Sequence, residues 1–429
     1  MKRTTKFIAL ILALGLFSAG SAFAQFTSEL QYYRYQDQRG LNVFEAPFQT
    51  NVQFNGVEFK VGGANTLQFQ GLEHSNSGAV QLLNIGPNFN LATSNMDLDA
   101  ALGNGLRMHL RAYLTSRHHT EFYVKDGYFQ VDRLDFIKEG FLSNVMDHVR
   151  LKVGHMEINY GDNHFRRSDN GQAIFNPFVG NYIMDSFTTE VGGEAYYYNS
   201  GFLAMFGLTN GKLNQSVIES SNGTPNTKPS IVGKLGFDSQ INPDLRFRLT
   251  GSIYTTKQSA STYLYGGDRA GSRYYYVLEE LGSNTSDHPP FRSGRYDPGF
   301  RNELTSFMIN PFVKYQGVEF YGVFENATGK ALSENNTRTF NQYGAELLYR
   351  FGTREQLYVG SRYNMVKGEE QSGNNIDITR INVGGGWFLT QNILAKAEYV
   401  NQKYNGFENT SIYSDGRFHG FMLEAVISF

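Results

Sequence analysis

The chain has 429 residues, with 38 Lys and Arg against 40 Asp and Glu, and no Cys. This charge balance excludes a globally basic nucleic-acid binder, and the lack of Cys excludes disulfides and thiol lipidation. Phe (35), Tyr (27) and Gly (46) are abundant, and the mean hydropathy is −0.40. A transmembrane β-barrel fits these values as well as a soluble protein does, because half of each strand faces water.

The first 24 residues predict a secretory signal peptide. Lys2, Arg3 and Lys6 precede an apolar run at 7–17, and the small residues that close the segment end at Ala24. The alternative is a membrane anchor, but the apolar run is shorter than the about 20 residues that span a bilayer. We therefore expect the chain to be exported, and its mature part to be more acidic than the whole.

Residues 25–54 form an N-terminal segment without clean alternation of apolar and polar residues. The sequence leaves two positions open for it, in the periplasm or inside a barrel. It is too short for the plug domain of an active transporter, which also needs a larger barrel.

Residues 55–429 show apolar residues at every second position, in runs bounded by turn residues, which predicts a β-barrel. Sixteen candidate strands follow one another, and no later stretch is a candidate for a spanning helix. The strands are expected near 56–72, 88–102, 105–116, 121–133, 148–159, 187–198, 201–209, 230–238, 244–255, 305–315, 318–325, 341–351, 356–366, 377–389, 392–402 and 418–429.

Three of these candidates are irregular. Alternation is poor over 88–102 and over 121–133. The candidate at 305–315 contains Pro311, which cannot donate a hydrogen bond to a neighbouring strand. We expect a β-bulge or a wrong strand boundary there.

The connections between the candidates alternate between short and long. Pairs such as Asn-Ser at 199–200 and Thr-Gln at 390–391 join some strands, whereas others are separated by 160–186, 210–229 or 256–304. Further long connections are expected at 326–340, 367–376 and 403–417. A transmembrane antiparallel barrel of about 16 strands has this order, with short periplasmic turns and long external loops. Residues 134–147 are the exception and predict a small helix in place of a short turn.

The last strand carries an aromatic C-terminus. Phe421, Leu423, Ala425, Ile427 and Phe429 are apolar at alternate positions. Closure of the barrel would pair this strand on both sides and remove the sheet edge, as lipid requires. The pattern resembles the terminal strand of Gram-negative outer-membrane barrels. The resemblance implies a location in the outer membrane, contact with its lipid, and recognition of Phe429 by the barrel-assembly machinery.

Charged residues fall on the strand faces opposite the apolar ones. A charge on the lipid face costs about 2–4 kcal/mol at the midplane, so these side chains should point inward. They either solvate the wall or line a pore and bias it toward anions, an effect that Glu319, Glu346, Glu398 and Glu424 would partly neutralise. The predicted pore-lining residues are Arg107, Arg111, Arg150, Lys152, Arg246, Arg248, Arg350, Arg362 and Arg380.

The third external loop follows Val149–Gly161. There the chain is similar to the sixteen-stranded porins and, through Arg150, Gly154 and Gly161, to the phosphate-selective group, although its Lys and Pro are absent. The resemblance implies a loop that folds into the barrel and narrows it, and a homotrimer. The alternative is an ordinary exposed loop. The candidate residues of the constriction are Asp162, His164, Arg166, Arg167 and Asp169.

No G-x-S-x-G, H-E-x-x-H or phosphate-loop motif occurs, so we expect neither an enzyme nor a cofactor or metal site. The sequence favours an outer-membrane porin through which small hydrophilic solutes or ions diffuse passively. The alternative is a barrel with a blocked lumen whose loops at 161–185 and 256–304 bind a partner at the surface.

Overall fold

The computed structural model describes residues 29–115, 122–168, 172–211, 227–259, 261–266, 273–282 and 293–429. The predicted signal peptide and Asp169 lie outside the described residues. No helix in these ranges is long and apolar enough to span a membrane. The strands are β1 (Glu58–Ser75), β2 (Asn88–Gly103), β3 (Leu106–Thr115), β4 (Tyr123–Val131), β5 (Val149–Glu157), β6 (Thr189–Asn199), β7 (Phe202–Thr209), β8 (Ser230–Gln240), β9 (Leu245–Thr256), β10 (Glu303–Tyr315), β11 (Val318–Lys330), β12 (Arg338–Phe351), β13 (Leu357–Glu369), β14 (Asn375–Thr390), β15 (Ile393–Asn405) and β16 (Arg417–Ser428).

The sixteen strands form one closed antiparallel barrel, in which each strand pairs with its neighbours in the sequence and β1 pairs with β16. The prediction of an all-β barrel is therefore confirmed. The C-terminal strand has partners on both sides, β1 and β15. Phe429 continues this pairing, because its N–H donates to the Gly63 carbonyl at 3.1 Å and its carbonyl accepts from the Gly63 N–H at 3.2 Å.

The outer face of the barrel is apolar, and the inward positions carry charged residues together with apolar ones that pack in the interior. In β16, Phe421 and Leu423 are 65% and 52% exposed, whereas the intervening Met422 and Glu424 are 0% and 2% exposed. The same alternation continues around the wall, and it is the polarity of a barrel whose outer face contacts lipid.

Two bulges explain the poor alternation in the sequence. The register of β1 with β2 shifts between Thr66 and Leu67, and that of β3 with β4 shifts between Arg111 and Ala112. An extra residue in one strand of a pair reverses which face the following residues occupy. The apolar residues of β2 and β4 therefore do not keep a single period of two.

The expectation for Pro311 was wrong. β10 runs through this residue, and its register with both neighbours is the same before and after it. The residue opposite on β11 is Gly322, where a Cβ atom would come within 2.7 Å of the Pro311 ring. The glycine therefore provides the space that the proline ring needs within a continuous strand.

Most connections alternate in length as predicted, but several strands extend further into the expected loops, and the loop 370–374 is no longer than the turn 352–356. The loops expected at 326–340 and 367–376 shrink to 331–337 and 370–374. The helix expected within 134–147 covers only α1 (Ser143–Met146), with turns before it. Two long connections fill much of the interior. We call residues 158–188 the third loop and residues 257–302 the fifth loop.

Candidate functional site

The third loop crosses the interior and binds the opposite wall. The Asp162 N–H donates to Asn310 Oδ1 on β10 at 2.9 Å, and the Tyr160 hydroxyl donates to Glu325 on β11 at 3.1 Å. Further along, the Ile183 N–H donates to Asn364 on β13 at 2.6 Å. The loop is buried over most of its described length, so it is part of the interior and not an exposed connection.

Asp162 anchors the start of this loop. Its carboxylate accepts two hydrogen bonds from Arg248, both at 2.8 Å, one from Lys234 at 3.0 Å and one from Thr250 at 2.9 Å. Burial alone would raise the pKa of Asp162, but the Arg248 and Lys234 cations hold it well below its usual range. The carboxylate is therefore ionised, and its charge is matched by cations of β8 and β9.

The other predicted constriction residues that the structure describes, Arg166, Arg167 and His164, are also buried and hydrogen-bonded. Arg166 donates to Asn42 at 2.6 Å and to Glu346 at 3.1 Å, and Arg167 forms a bidentate pair with Asp185 at 2.6 and 2.7 Å. His164 hydrogen-bonds to Glu157 and, at 3.1 Å, to Asn159.

Residues 29–54, which we call the N-terminal segment, contact the third loop and inward side chains of the wall. Arg150 of β5 donates to the carbonyls of Ala46 and Pro47, each at 2.7 Å. Glu45 pairs with Arg248 at 2.9 Å. The Gln38 N–H donates at 2.8 Å to the carbonyl of Gln391, which lies in the short turn between β14 and β15. Glu45, Ala46 and Pro47 thus contact inward side chains of the wall, whereas Gln38 contacts a turn at the strand ends.

The predicted lining residues of β3 and β5 pair with carboxylates that stand beside them on the wall. Arg107 contacts Asp99 at 2.5 Å and Arg111 contacts Asp97 at 2.7 Å, while Arg150 contacts Asp132 at 2.6 Å. Lys152 lies 3.8 Å from Glu194. Each cation therefore has an acidic partner, most often across a strand pair.

The predicted residues on the later strands are paired as well, but most of them are covered. Arg246 binds Asp238 at 2.7 Å, and Arg350 binds Glu319 at 2.7 Å. Arg362 binds Glu346 at 2.7 Å and donates to the Gly180 carbonyl of the third loop at 2.6 Å. Arg380 donates to Gln402 and to the carbonyls of Asn181 and Gly294.

A cavity of about 120 Å³ remains between the inner wall of β2–β6, the N-terminal segment and the third loop. We call this wall the cavity side and the inner wall of β10–β16 the packed side. Among the predicted residues, the cavity brings together Arg107, Arg111, Arg150, Lys152 and His164. The cavity is not lined by the other predicted residues that the structure describes, which are Asp162, Arg166, Arg167, Arg246, Arg248, Arg350, Arg362 and Arg380.

Several residues of this cavity were missed by reasoning from the sequence. Arg34 lies in a segment whose position was open, and Asp99 lies in a strand whose alternation is broken by a bulge. His109 and Tyr128 face the cavity from β3 and β4. His109 alternates with Arg107 and Arg111, and this period of two was the one signal that could have included it.

No protein-family model and no curated protein matches the chain. Its structure is similar to the outer membrane channel DcaP of Acinetobacter baumannii (TM-score 0.54, 12% identity, 89% of this chain and 100% of that one). It is also similar to an anion-selective porin from Comamonas acidovorans (0.54, 12%, 87% and 100%) and to the trimer form of OmpT from Vibrio cholerae (0.51, 12%, 87% and 100%). The chain therefore has the fold of the sixteen-stranded outer-membrane porins.

Proposed function

We propose that the protein is an outer-membrane porin that lets small hydrophilic solutes or ions diffuse passively through its barrel. One observation carries the proposal: a closed barrel of sixteen strands has an apolar outer face and a cavity inside that is lined by charged and aromatic side chains. Barrels of this size are too wide for wall side chains alone to fill, so the loops determine how much of the interior stays open to water.

The third loop and the N-terminal segment together narrow the passage. We propose that the route follows the cavity side, past Arg107, Arg111, Arg150 and Lys152, with His164 on the facing loop. Asp162, Arg166 and Arg167 do not line the cavity, and their role would then be to fix the position of the third loop at the constriction. Because the cavity is small, the proposal limits the route to small solutes.

The same proposal sets the cellular context. The outer membrane of a Gram-negative bacterium is the location that the porin fold favours, and OmpT from Vibrio cholerae, which shares the fold, has a trimer form. We extend the proposal to a homotrimer of this chain, to export by residues 1–24, and to recognition of Phe429 by the barrel-assembly machinery. Phe429 is 55% exposed on the outer face, where such a partner could reach it.

Swelling of proteoliposomes tests the proposed diffusion. Purified protein is reconstituted into liposomes, which are diluted into isosmotic solutions of hydrophilic solutes of increasing size. We expect fast swelling with the smallest solutes and a sharp loss of rate as size increases, and no swelling with heat-denatured protein. Folded barrels that give no swelling with any solute would contradict the proposal and favour a surface-binding role with a blocked lumen.

A further inference from the structure

Arg34 is a cation of the cavity with weak anchoring. Its Nη2 donates to the Phe165 carbonyl at 3.1 Å and, at 3.3 Å, to the Gly40 carbonyl, and its guanidinium stacks 4.0 Å from the centre of the Phe175 ring. In the part of the chain that the structure describes, no carboxylate lies within salt-bridge distance of it. Burial lowers the pKa of Arg34 to about 9, so the side chain is still charged at neutral pH.

The wall cations around the same cavity differ from Arg34. Arg107, Arg111 and Arg150 each contact a carboxylate at 2.7 Å or less. A close pair of opposite charges has a field that falls off faster than that of a single charge, so these pairs attract a passing ion weakly. Lys152 is intermediate, because its carboxylate lies 3.8 Å away and its side chain is 16% exposed.

Glu45 and Glu157, two carboxylates of the cavity, already have cations or hydrogen-bond donors beside them. Glu45 is held by Arg248 and Lys234, at 2.9 and 3.5 Å. Glu157 accepts from Gln172 at 3.0 Å and contacts His164. Asp126 also lines the cavity, where it accepts from the Glu157 N–H at 3.1 Å. Among the Arg and Lys side chains of the cavity, Arg34 and Lys152 therefore have the most distant carboxylates, and they come from the N-terminal segment and from β5.

We infer that Arg34, together with Lys152, forms a binding site for a small anion, and that the N-terminal segment thereby sets the ion preference of the pore. A cavity of about 120 Å³ has room for on the order of four water molecules, which suits an inorganic anion or a short carboxylate and not a sugar. Arg273 and Arg380 also donate to carbonyls, but they do not line the cavity, so they are not part of this site. The inference rests on the proposed porin function and names the solute class of the same passage.

The test is the reversal potential of single channels under a KCl gradient whose dilute side is near 0.1 M, where the screening length is about 10 Å. We expect the wild-type chain to prefer chloride. Arg34→Gln removes one unit charge about 6 Å from an ion in water, which should lower the chloride permeability and raise the potassium permeability roughly threefold each, so the chloride-to-potassium permeability ratio should fall roughly tenfold. Arg34→Glu doubles the change in charge, so the ratio should fall roughly a hundredfold. Lys152→Gln should lower it in the same direction.

Two further variants separate charge from structure. Arg34→Lys keeps the charge but not the planar fork, so we expect it to retain the wild-type ratio. Arg39→Gln is the matched control, because Arg39 lies in the same segment, is 47% exposed, pairs with Asp37 at 2.6 Å and does not line the cavity. We expect no change in its ratio, and heat-modified mobility on gels would verify that each variant is folded.

The outcomes are distinct. A cation-selective wild type, an unchanged ratio in Arg34→Gln and Arg34→Glu, or an equal shift in Arg34→Lys and Arg34→Gln would each overturn the anion site while leaving the porin function intact. A folded, inserted wild-type barrel without current steps would overturn the porin function, and the anion site with it.

Discussion

The cavity side and the packed side of the barrel carry similar inward residues, but loops cover those of the packed side and leave a cavity beside those of the cavity side. Both carry Arg and carboxylate residues at alternate inward positions, and both pair them, as in Arg111 with Asp97 and Arg362 with Glu346. On the packed side, loops cover these pairs. Lys396 donates to three carbonyls of the third loop, at 3.0 to 3.1 Å, and Glu398 accepts from Val179 N–H and the Tyr274 hydroxyl.

This difference shows that the residues of the wall do not by themselves determine where the interior is open to water. On the packed side, loop backbone groups need partners once they are buried, and inward charges of β13–β15 supply them. On the cavity side, the N-terminal segment and the front of the third loop leave a water-accessible space of about 120 Å³ against the wall. Loop placement therefore assigns a structural role to one half of the charges and a solute-facing role to the other.

The largest expected effect comes from removing the anchor of the third loop. Asp162→Ala removes one of the two carboxylates that Arg248 and Lys234 share, and Glu45 remains as the other. Breaking a buried pair costs at most about 3–5 kcal/mol in this setting. We expect a lower unfolding midpoint in denaturant and a wider, noisier conductance, because the loop is released. Asp377→Ala is the matched control, because its pair with Lys367 is exposed and contributes at most about 1 kcal/mol. Equal midpoints for the two variants would show that Asp162 is no anchor.

Thiol labelling compares the two sides directly, because the natural chain has no Cys. Ala46→Cys places a thiol at the cavity, and Ala173→Cys places one in the third loop where it is fully buried against the packed side. We expect a charged, water-soluble thiol reagent to modify the first at least roughly tenfold faster, since the thiolate must be reached by the reagent. Equal rates in folded protein would remove the distinction between the two sides.

The smallest expected effect is the response to acid between pH 8 and pH 4. Burial would raise the pKa of Glu45, but Arg248 and Lys234 lower it to about 2. A lowered pKa contributes stability that is complete above the ordinary value near 4.5 and is lost as the pH falls through about 2. Protease sensitivity of the N-terminal segment should therefore stay constant down to pH 4 and rise only below about pH 3. A rise centred near pH 4.5 would mean that Glu45 is not paired.

The sequence was sufficient for the barrel because strand alternation and loop length are local properties. Each of the sixteen strands lies close to its predicted position, including the terminal strand, which ends at Ser428. The failures have identifiable physical causes. The bulge in β2 concealed Asp99, and the contact of Pro311 with Gly322 is made across two strands.

The site was harder to predict than the fold. The inward direction of Arg107, Arg111 and Lys152 follows from alternation, but whether a loop covers an inward charge depends on contacts between residues far apart in the sequence. Arg362 is covered by Gly180 of the third loop, whereas the side chain of Lys152 remains 16% exposed. No local pattern shows such coverage, so Arg34 could not be recognised before the position of its segment was known.

Single-channel recording in a planar bilayer tests the central claim, that this barrel conducts, most directly. Purified wild-type protein should insert and produce discrete, steady current steps at fixed voltage. Insertion of folded protein, verified by its heat-modified mobility, without any steps would contradict the account and leave the third loop and the N-terminal segment as a seal across the barrel.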